Sequence, residues 1–122
     1  MALYAIGDTH LSLGSNKPMD VFGPGWAGYI DRLQEAFSAL AEEDTILLCG
    51  DISWAMSLEE GRKDFMFLQE LPGRKLLLKG NHDYWWTTAA KMRRFWQENG
   101  WDKLEIIHNS CALYGDLSLI HI

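Results

Sequence analysis

The sequence predicts an α/β fold whose sheet is mostly parallel and covered by helices. Three short apolar runs, at residues 2–6, 45–49 and 76–78, are too short for helices and indicate buried strands. A segment with helical signals follows each run, so strand and helix alternate three times, with crossovers long enough for right-handed βαβ units. A chain of 122 residues, 48% hydrophobic and 23% charged, is sufficient for one such domain with a real core.

The first strand is followed by a long surface loop, predicted at residues 14–24 because this segment is rich in Gly, Asn and Pro. A helix running to about Glu43 should come next, because five apolar residues recur at alternating spacings of four and three and therefore share one face. These residues are Trp26, Ile30, Leu33, Phe37 and Leu40. Such a stripe is more typical of a core face than of a cofactor site.

The second helix is predicted to open at Ser57, because Glu60 three residues later completes a capping-box signal, and to end at Pro72 and Gly73. The segment at residues 87–100, TTAAKMRRFWQENG, predicts a third helix that stops at its final glycine. Its buried face is expected to comprise Met92, Phe95 and Trp96. Two more strands are predicted at residues 104–107 and 111–114.

Composition excludes several classes of function. The net charge of −6 works against binding a polyanion through counterion release, so strong nucleic-acid binding is not expected. The two cysteines, Cys49 and Cys111, form no C-x-x-C pair and are expected to be small buried hydrophobes. The N-terminus lacks a basic region, and no long apolar run occurs. We therefore expect a soluble cytoplasmic protein with no membrane partner.

Polar side chains follow each of the first three predicted strands, in the segments GDTH, CGD and GNHD. They are Asp8 and His10, Asp51, and Asn81, His82 and Asp83. One such group is often turn or cap chemistry, and Asp83 alone could accept hydrogen bonds from free backbone N–H groups. Three in succession make that explanation improbable, because the carboxyl ends of parallel strands converge. The mixture of oxygen and nitrogen donors is typical of divalent metal sites but does not identify the ion.

These motifs resemble those of the calcineurin-like metallophosphoesterase family, whose D-x-H, G-D and G-N-H-[DE] patterns occur here in order as DTH, GD and GNHD. The resemblance covers nearly the whole chain, and the DTHLS and GNHDYWW wording is similar to a bacterial branch of predicted phosphohydrolases. It implies that the chain is the first half of a four-layer αββα sandwich. It also implies two divalent metal ions, Mn, Fe, Zn or Mg, and a phosphoester substrate.

Carried over residue by residue, the resemblance implies a role for each strand-end side chain. Asp8 and His10 would bind one metal, Asp51 would bridge two and Asn81 would bind the second, while His82 would lie beside the phosphate and Asp83 would orient the His82 ring. Two metals about 3.5–4 Å apart can clamp a phosphoryl group and supply a metal-bound hydroxide that attacks it. An imidazole that carries a proton near neutral pH can then act as the general acid for the leaving oxygen.

The chain departs from the family pattern at its C-terminal end. Family members extend further, with a second sheet and a G-H-x-H motif that is missing here, and His108 is interpreted as a turn or surface histidine. Residues 117–122, LSLIHI, resemble a translated sequencing adaptor, so His121 is not expected to be a ligand. We expect residues 1–116 to be a truncated, inactive metallophosphoesterase domain; a native edge strand at 117–122 is the alternative.

Three other patterns leave alternatives open. The segment GPGWAG, residues 23–28, matches G-x-G-x-x-G but follows no strand, so a dinucleotide site is not expected. The aromatic residues Trp54, Tyr84, Trp85 and Trp86 could stack a flat leaving group beside the metals, although packing is favoured for at least one of the last two. The alternative to hydrolysis is a non-catalytic metal-binding or interaction module. The presence of Asp51 and His82 favours hydrolysis.

Overall fold

The computed structural model describes residues 1–14, 26 and 28–120. The predicted loop at 14–24 and most of the GPGWAG segment therefore lie outside the described residues. The elements are β1 (Leu3–Ile6), α1 (Tyr29–Ser38), β2 (Thr45–Leu48), α2 (Arg62–Glu70), β3 (Arg74–Leu77), α3 (Ala89–Glu98), β4 (Leu104–Ile106), β5 (Cys111–Tyr114) and β6 (Leu117–Ile120). No helix among the described residues is long and apolar enough to cross a bilayer.

The main sheet has four parallel strands in the order β1-β2-β3-β4, which confirms the predicted α/β fold with a parallel sheet. The register sets Ile6, Leu48, Leu77 and Ile106 side by side. Because consecutive strands are neighbours and βαβ crossovers are right-handed, the three helices pack on the same face of the sheet. The carboxyl ends of β1, β2 and β3 therefore lie next to one another at one edge.

The hydrophobic core lies between that face and the helices. Its buried strand residues are Ile46, Leu48, Leu77, Leu104 and Ile106, and its buried helix residues are Phe37, Phe65, Leu68, Met92 and Trp96. Each such side chain contributes about 1.5–3 kcal/mol when fully buried, so this layer fixes the sheet that carries the strand ends.

The first helix is shorter than its periodicity predicted. It begins at Tyr29, after Gly28 in the left-handed conformation with φ 68°, and ends at Ser38 rather than near Glu43. Asp44 explains the early end, because its carboxylate accepts hydrogen bonds from Ala41 N (2.9 Å) and Ala2 N (2.8 Å) and so holds a turn before β2. Trp26 consequently precedes the helix instead of lying on its core face.

The second helix starts later than its capping signal. The Ser57 hydroxyl accepts the Glu60 N–H at 3.1 Å as predicted, but this bond closes a turn, and the regular helix begins at Arg62. The predicted end is confirmed, since Gly73 takes a left-handed φ of 92° after α2. The third helix matches its prediction more closely: the Thr88 hydroxyl caps it by accepting Lys91 N–H at 3.2 Å.

The prediction that both cysteines are buried is wrong, because Cys49 and Cys111 are exposed free thiols. Ile46 and Leu48 face the core, so alternation along the strand turns Cys49 toward the opposite face of the sheet. Cys111 begins β5, which pairs with β6 as an antiparallel hairpin outside the main sheet. The pairing does not decide the origin of residues 117–122, which stays a prediction. Residues 121–122 lie outside the described part of the chain.

Candidate metal centre

The loops that follow β1 and β2 run side by side and are joined by backbone hydrogen bonds. Asp8 N donates to Gly50 O (3.1 Å), and His10 N donates to Asp51 O (2.9 Å). One residue further on, Leu11 N donates to the carbonyl of residue 52 at 2.8 Å. These bonds fix the two predicted ligands of the first loop against the predicted ligand of the second.

The three residues that the loops bring together share an uncommon backbone conformation. Asp8, His10 and Asp51 have φ values of 56°, 44° and 48°, in the left-handed region that favours glycine. Each such residue costs on the order of 1 kcal/mol or more and persists only where the surroundings hold it in place. Here the hydrogen bonds between the two loops hold these residues in place. Their left-handed conformation directs the three side chains toward one another.

Those side chains form a compact cluster of potential metal ligands. One ligand atom each from Asp8, His10 and Asp51 lies within 4.8 Å of the other two. His10 Nε2 is 3.7 Å from Asp8 Oδ1 and 4.0 Å from Asp51 Oδ2. The His10 and Asp51 side chains are only 12% and 15% exposed, whereas that of Asp8 is 70% exposed. Two carboxylates and an imidazole at these separations fit a divalent cation.

His82 lies against this cluster through Asp51. Its backbone N–H donates to Asp51 Oδ1 at 2.9 Å, and its Nδ1 lies 3.1 Å from Asp51 Oδ2. Burial raises the pKa of the Asp51 carboxyl, but the two contacts from His82, helped by His10, outweigh it and hold that pKa below its ordinary value. Asp51 therefore lies against both the predicted metal ligand His10 and the predicted catalytic residue His82.

Asp83 does not make the predicted contact with the His82 ring. Its buried carboxylate instead accepts four N–H groups. The donors are Ile52 N (2.8 Å), Ser53 N (3.2 Å) and Trp85 Nε1 (3.0 Å) on Oδ1, and Gly80 N (2.7 Å) on Oδ2. Asp83 thus ties the loop after β3 to the loop after β2, and Asp51 is the carboxylate beside the His82 ring.

The loops after β2 and β3 approach so closely that two glycines are needed. A Cβ at Gly50 would lie 2.8 Å from Gly80 Cα, and a Cβ at Gly80 would collide with the backbone nitrogen and the carboxylate of Asp51. Asn81 follows directly, in an exposed turn between Gly80 and His82. Its position at this strand end agrees with the prediction, and its role as a ligand stays a prediction.

Comparison with known proteins gives this geometry a family. A model of the calcineurin-like phosphoesterases matches residues 1–121. The chain belongs to this family. Among solved structures it is similar to AQ665, a protein of unknown function from Aquifex aeolicus, with a TM-score of 0.59 and 21% identity. That match covers 97% of this chain and 58% of AQ665, and at this identity it shows the fold. The comparison with curated proteins found no match.

A buried carboxylate outside the family motifs supports the first ligand loop. Asp64 of α2 accepts Leu13 N at 2.7 Å and the Ser53 hydroxyl at 2.6 Å, so it joins the loops after β1 and β2 to the helix. Burial raises the pKa of the Asp64 carboxyl above its ordinary value. Sequence reasoning missed this residue, because an acidic residue in the first turn of a helix is common for capping reasons alone.

Aromatic rings surround the two histidines of the site. Trp54 stacks on His10 at 5.0 Å with an interplanar angle of 25°, and it lies 5.0 Å from His82 as well. Tyr84 meets His82 edge-on at 6.2 Å, and Trp26 meets His10 edge-on at 6.1 Å. These rings form a rim around the cluster.

The tryptophan pair of the GNHDYWW segment packs into the fold instead. Trp85 is 1% exposed and belongs to the core, and Trp86 packs against that core. Packing of at least one of the pair is thereby confirmed. His108 is exposed and its ring contacts Trp86 at 5.8 Å, which agrees with its interpretation as a surface histidine.

Proposed function

We propose that the full-length protein is a metal-dependent phosphoesterase that hydrolyses phosphate ester bonds at a site for two divalent metal ions. The observation that carries the proposal is the cluster of Asp8, His10 and Asp51 at two adjoining strand ends, with His82 held against Asp51. Membership of the calcineurin-like phosphoesterase family supports the same activity.

The residues of the cluster suggest how the ions are held. Asp8 and His10 would bind one ion and Asn81 the other. Asp51, in the loop after β2, lies between the strand ends of β1 and β3 and would bridge the two ions. The mixed donors suit Mn, Fe, Zn or Mg. When bound, the ions would neutralise charge on the phosphate and lower the pKa of a coordinated water.

His82 is the proposed general acid. Its Nδ1 lies 3.1 Å from Asp51 Oδ2, a contact that fixes the ring plane and leaves Nε2 as the nitrogen to meet the substrate. The His82 side chain is 43% exposed, so a substrate can reach it. A protonated Nε2 can donate to the leaving oxygen as the bond to phosphorus breaks, a role worth about 10²–10⁴-fold in rate.

The test is hydrolysis of chromogenic phosphomonoesters and phosphodiesters with Mn²⁺ present. Because two origins are open for residues 117–122, the source locus is first sequenced across the Asp116 codon. The chain that the locus encodes is then used in the assay. His82→Ala should lower kcat by about 10²-fold or more on esters with poor leaving groups, and by much less on good ones that need no acid. An equal loss on both would refute acid catalysis in favour of phosphate binding alone.

His108→Ala is the matched control, because His108 is an exposed histidine away from the cluster and should keep full activity. Binding of Mn²⁺ by calorimetry separates the rival function. Mn²⁺ binding that Asp51→Asn abolishes, in a protein that hydrolyses none of the esters, would overturn the enzyme and favour a non-catalytic metal-binding module.

A further inference from the structure

A cavity of about 300 Å³ lies beside the metal cluster, between the end of β1 and the helix α1. Its lining includes Ile6, Asp8, Trp26, Tyr29, Arg32 and Leu33. Neither the family motifs nor the site described above gives it a role. Because Asp8 belongs to both the cavity and the ligand cluster, a phosphate held at the cluster would have its organic part within reach of the cavity.

The aromatic walls of the cavity form a right-angled corner. The rings of Trp26 and Tyr29 have centroids 5.3 Å apart and an interplanar angle of 85°. The Tyr29 hydroxyl donates to the His10 carbonyl at 2.5 Å, and Trp26 meets the His10 ring edge-on. The corner is therefore held against the loop that carries two of the predicted ligands.

The remaining lining supplies apolar surface and one charge of each sign. Ile6 and Leu33 provide the apolar part, and Arg32 and Asp8 are residues of opposite charge. A corner of two rings suits a flat ring, and charged residues in the lining suit a ring that has polar atoms on its edge.

We propose that this cavity binds a flat heteroaromatic group of the substrate, such as a nucleobase, and so selects nucleotide-like phosphoesters. The inference rests on the proposed phosphoesterase function. A volume of about 300 Å³ equals roughly ten waters at about 30 Å³ each, room for a ring system of comparable heavy-atom count. The ring would stack on one wall of the corner and present its edge to the other.

The kinetic test compares adenosine 5′-monophosphate with ribose 5-phosphate, which carry the same phosphate on the same type of alcohol and differ in the base. The ratio of kcat/KM should favour the nucleotide about tenfold or more, the scale of one stacked base. Trp26→Ala should lower that ratio toward one, whereas Trp26→Phe, which keeps a ring, should restore most of it. Equal kcat/KM for the two esters in the unaltered protein would overturn the proposal.

Tyr4→Ala is the matched control, because Tyr4 is a 47% exposed tyrosine on β1 outside the cavity lining. A second measurement is independent of hydrolysis: saturation-transfer NMR of adenosine with the metal-free protein should show transfer to the base protons, lost in Trp26→Ala. If neither ester is hydrolysed but adenosine binds in this way, the cavity proposal stands and the phosphoesterase proposal fails. No transfer to the base would overturn the cavity proposal.

Discussion

Replacing Asp83 with asparagine should destabilise the fold, whereas the same replacement at Asp8 should not. The Asp83 side chain is buried and accepts four N–H groups, while that of Asp8 is 70% exposed at the mouth of the cluster. The pair of variants therefore removes one carboxylate charge from each of two different environments within the same site.

The size of the effect follows from the donors around Asp83. In Asp83→Asn the amide oxygen can replace Oδ1 and keep three bonds, but the amide nitrogen would then face the Gly80 N–H that now donates at 2.7 Å. A buried donor without a partner costs about 1–3 kcal/mol, and three charge-assisted bonds become weaker neutral ones, so the total loss is about 3 kcal/mol. Asp8→Asn should change stability by less than about 0.5 kcal/mol, as exposed substitutions do.

Thermal unfolding followed by circular dichroism measures the difference. For a domain of this size about 3 kcal/mol corresponds to a Tm lower by roughly 10 °C or more. Asp8→Asn should keep its Tm but weaken Mn²⁺ binding, whereas Asp83→Asn should still bind Mn²⁺ well below its Tm. An Asp83→Asn protein with normal Tm and lost hydrolysis would refute this reasoning and restore the predicted role of Asp83 in orienting His82.

Three further changes have expected outcomes. Burial lowers the pKa of Lys75 from 10.5 to about 8, so the folded state disfavours its charged form, and the free energy of unfolding should rise by up to about 3 kcal/mol as pH increases from 8 to 10.5. Urea unfolding should show no such rise in Lys75→Met. Gly80→Ala should cost about 1–3 kcal/mol and weaken Mn²⁺ binding, because its Cβ collides with Asp51; unchanged binding would contradict the close approach. Cys49 and Cys111 should both react with Ellman's reagent in the native protein, and protection of either would contradict its exposure.

The sequence predicts the sheet and the meeting of its strand ends because both depend on short-range patterns. Apolar runs bounded by glycine define β1, β2 and β3, and the order of elements with right-handed crossovers makes them parallel neighbours. Once their order is known, Asp8, His10 and Asp51 must end at one edge. That part of the site needs no knowledge of side-chain contacts.

The hydrogen bonds of the site were beyond prediction because they join residues far apart in sequence. Asp83 accepts from Ile52 and Ser53, about thirty positions away, and a motif read along the chain places it beside His82 instead. Trp26 fits a helical period of four and three, yet the helix begins three residues later. Its edge-on contact with His10 is made from outside the helix, which the periodicity does not predict.

Asp51 explains how three separate strand ends act as one site. Its backbone carbonyl accepts from His10 N, its carboxylate takes two contacts from His82, and a neighbouring Cβ at position 80 is excluded by its own atoms. These contacts hold Asp51 in its left-handed conformation, with a φ of 48°, which is how a strained residue persists. Because these contacts are made by the protein alone, the carboxylate is already oriented before any cation arrives, and binding need not pay the entropy of ordering it.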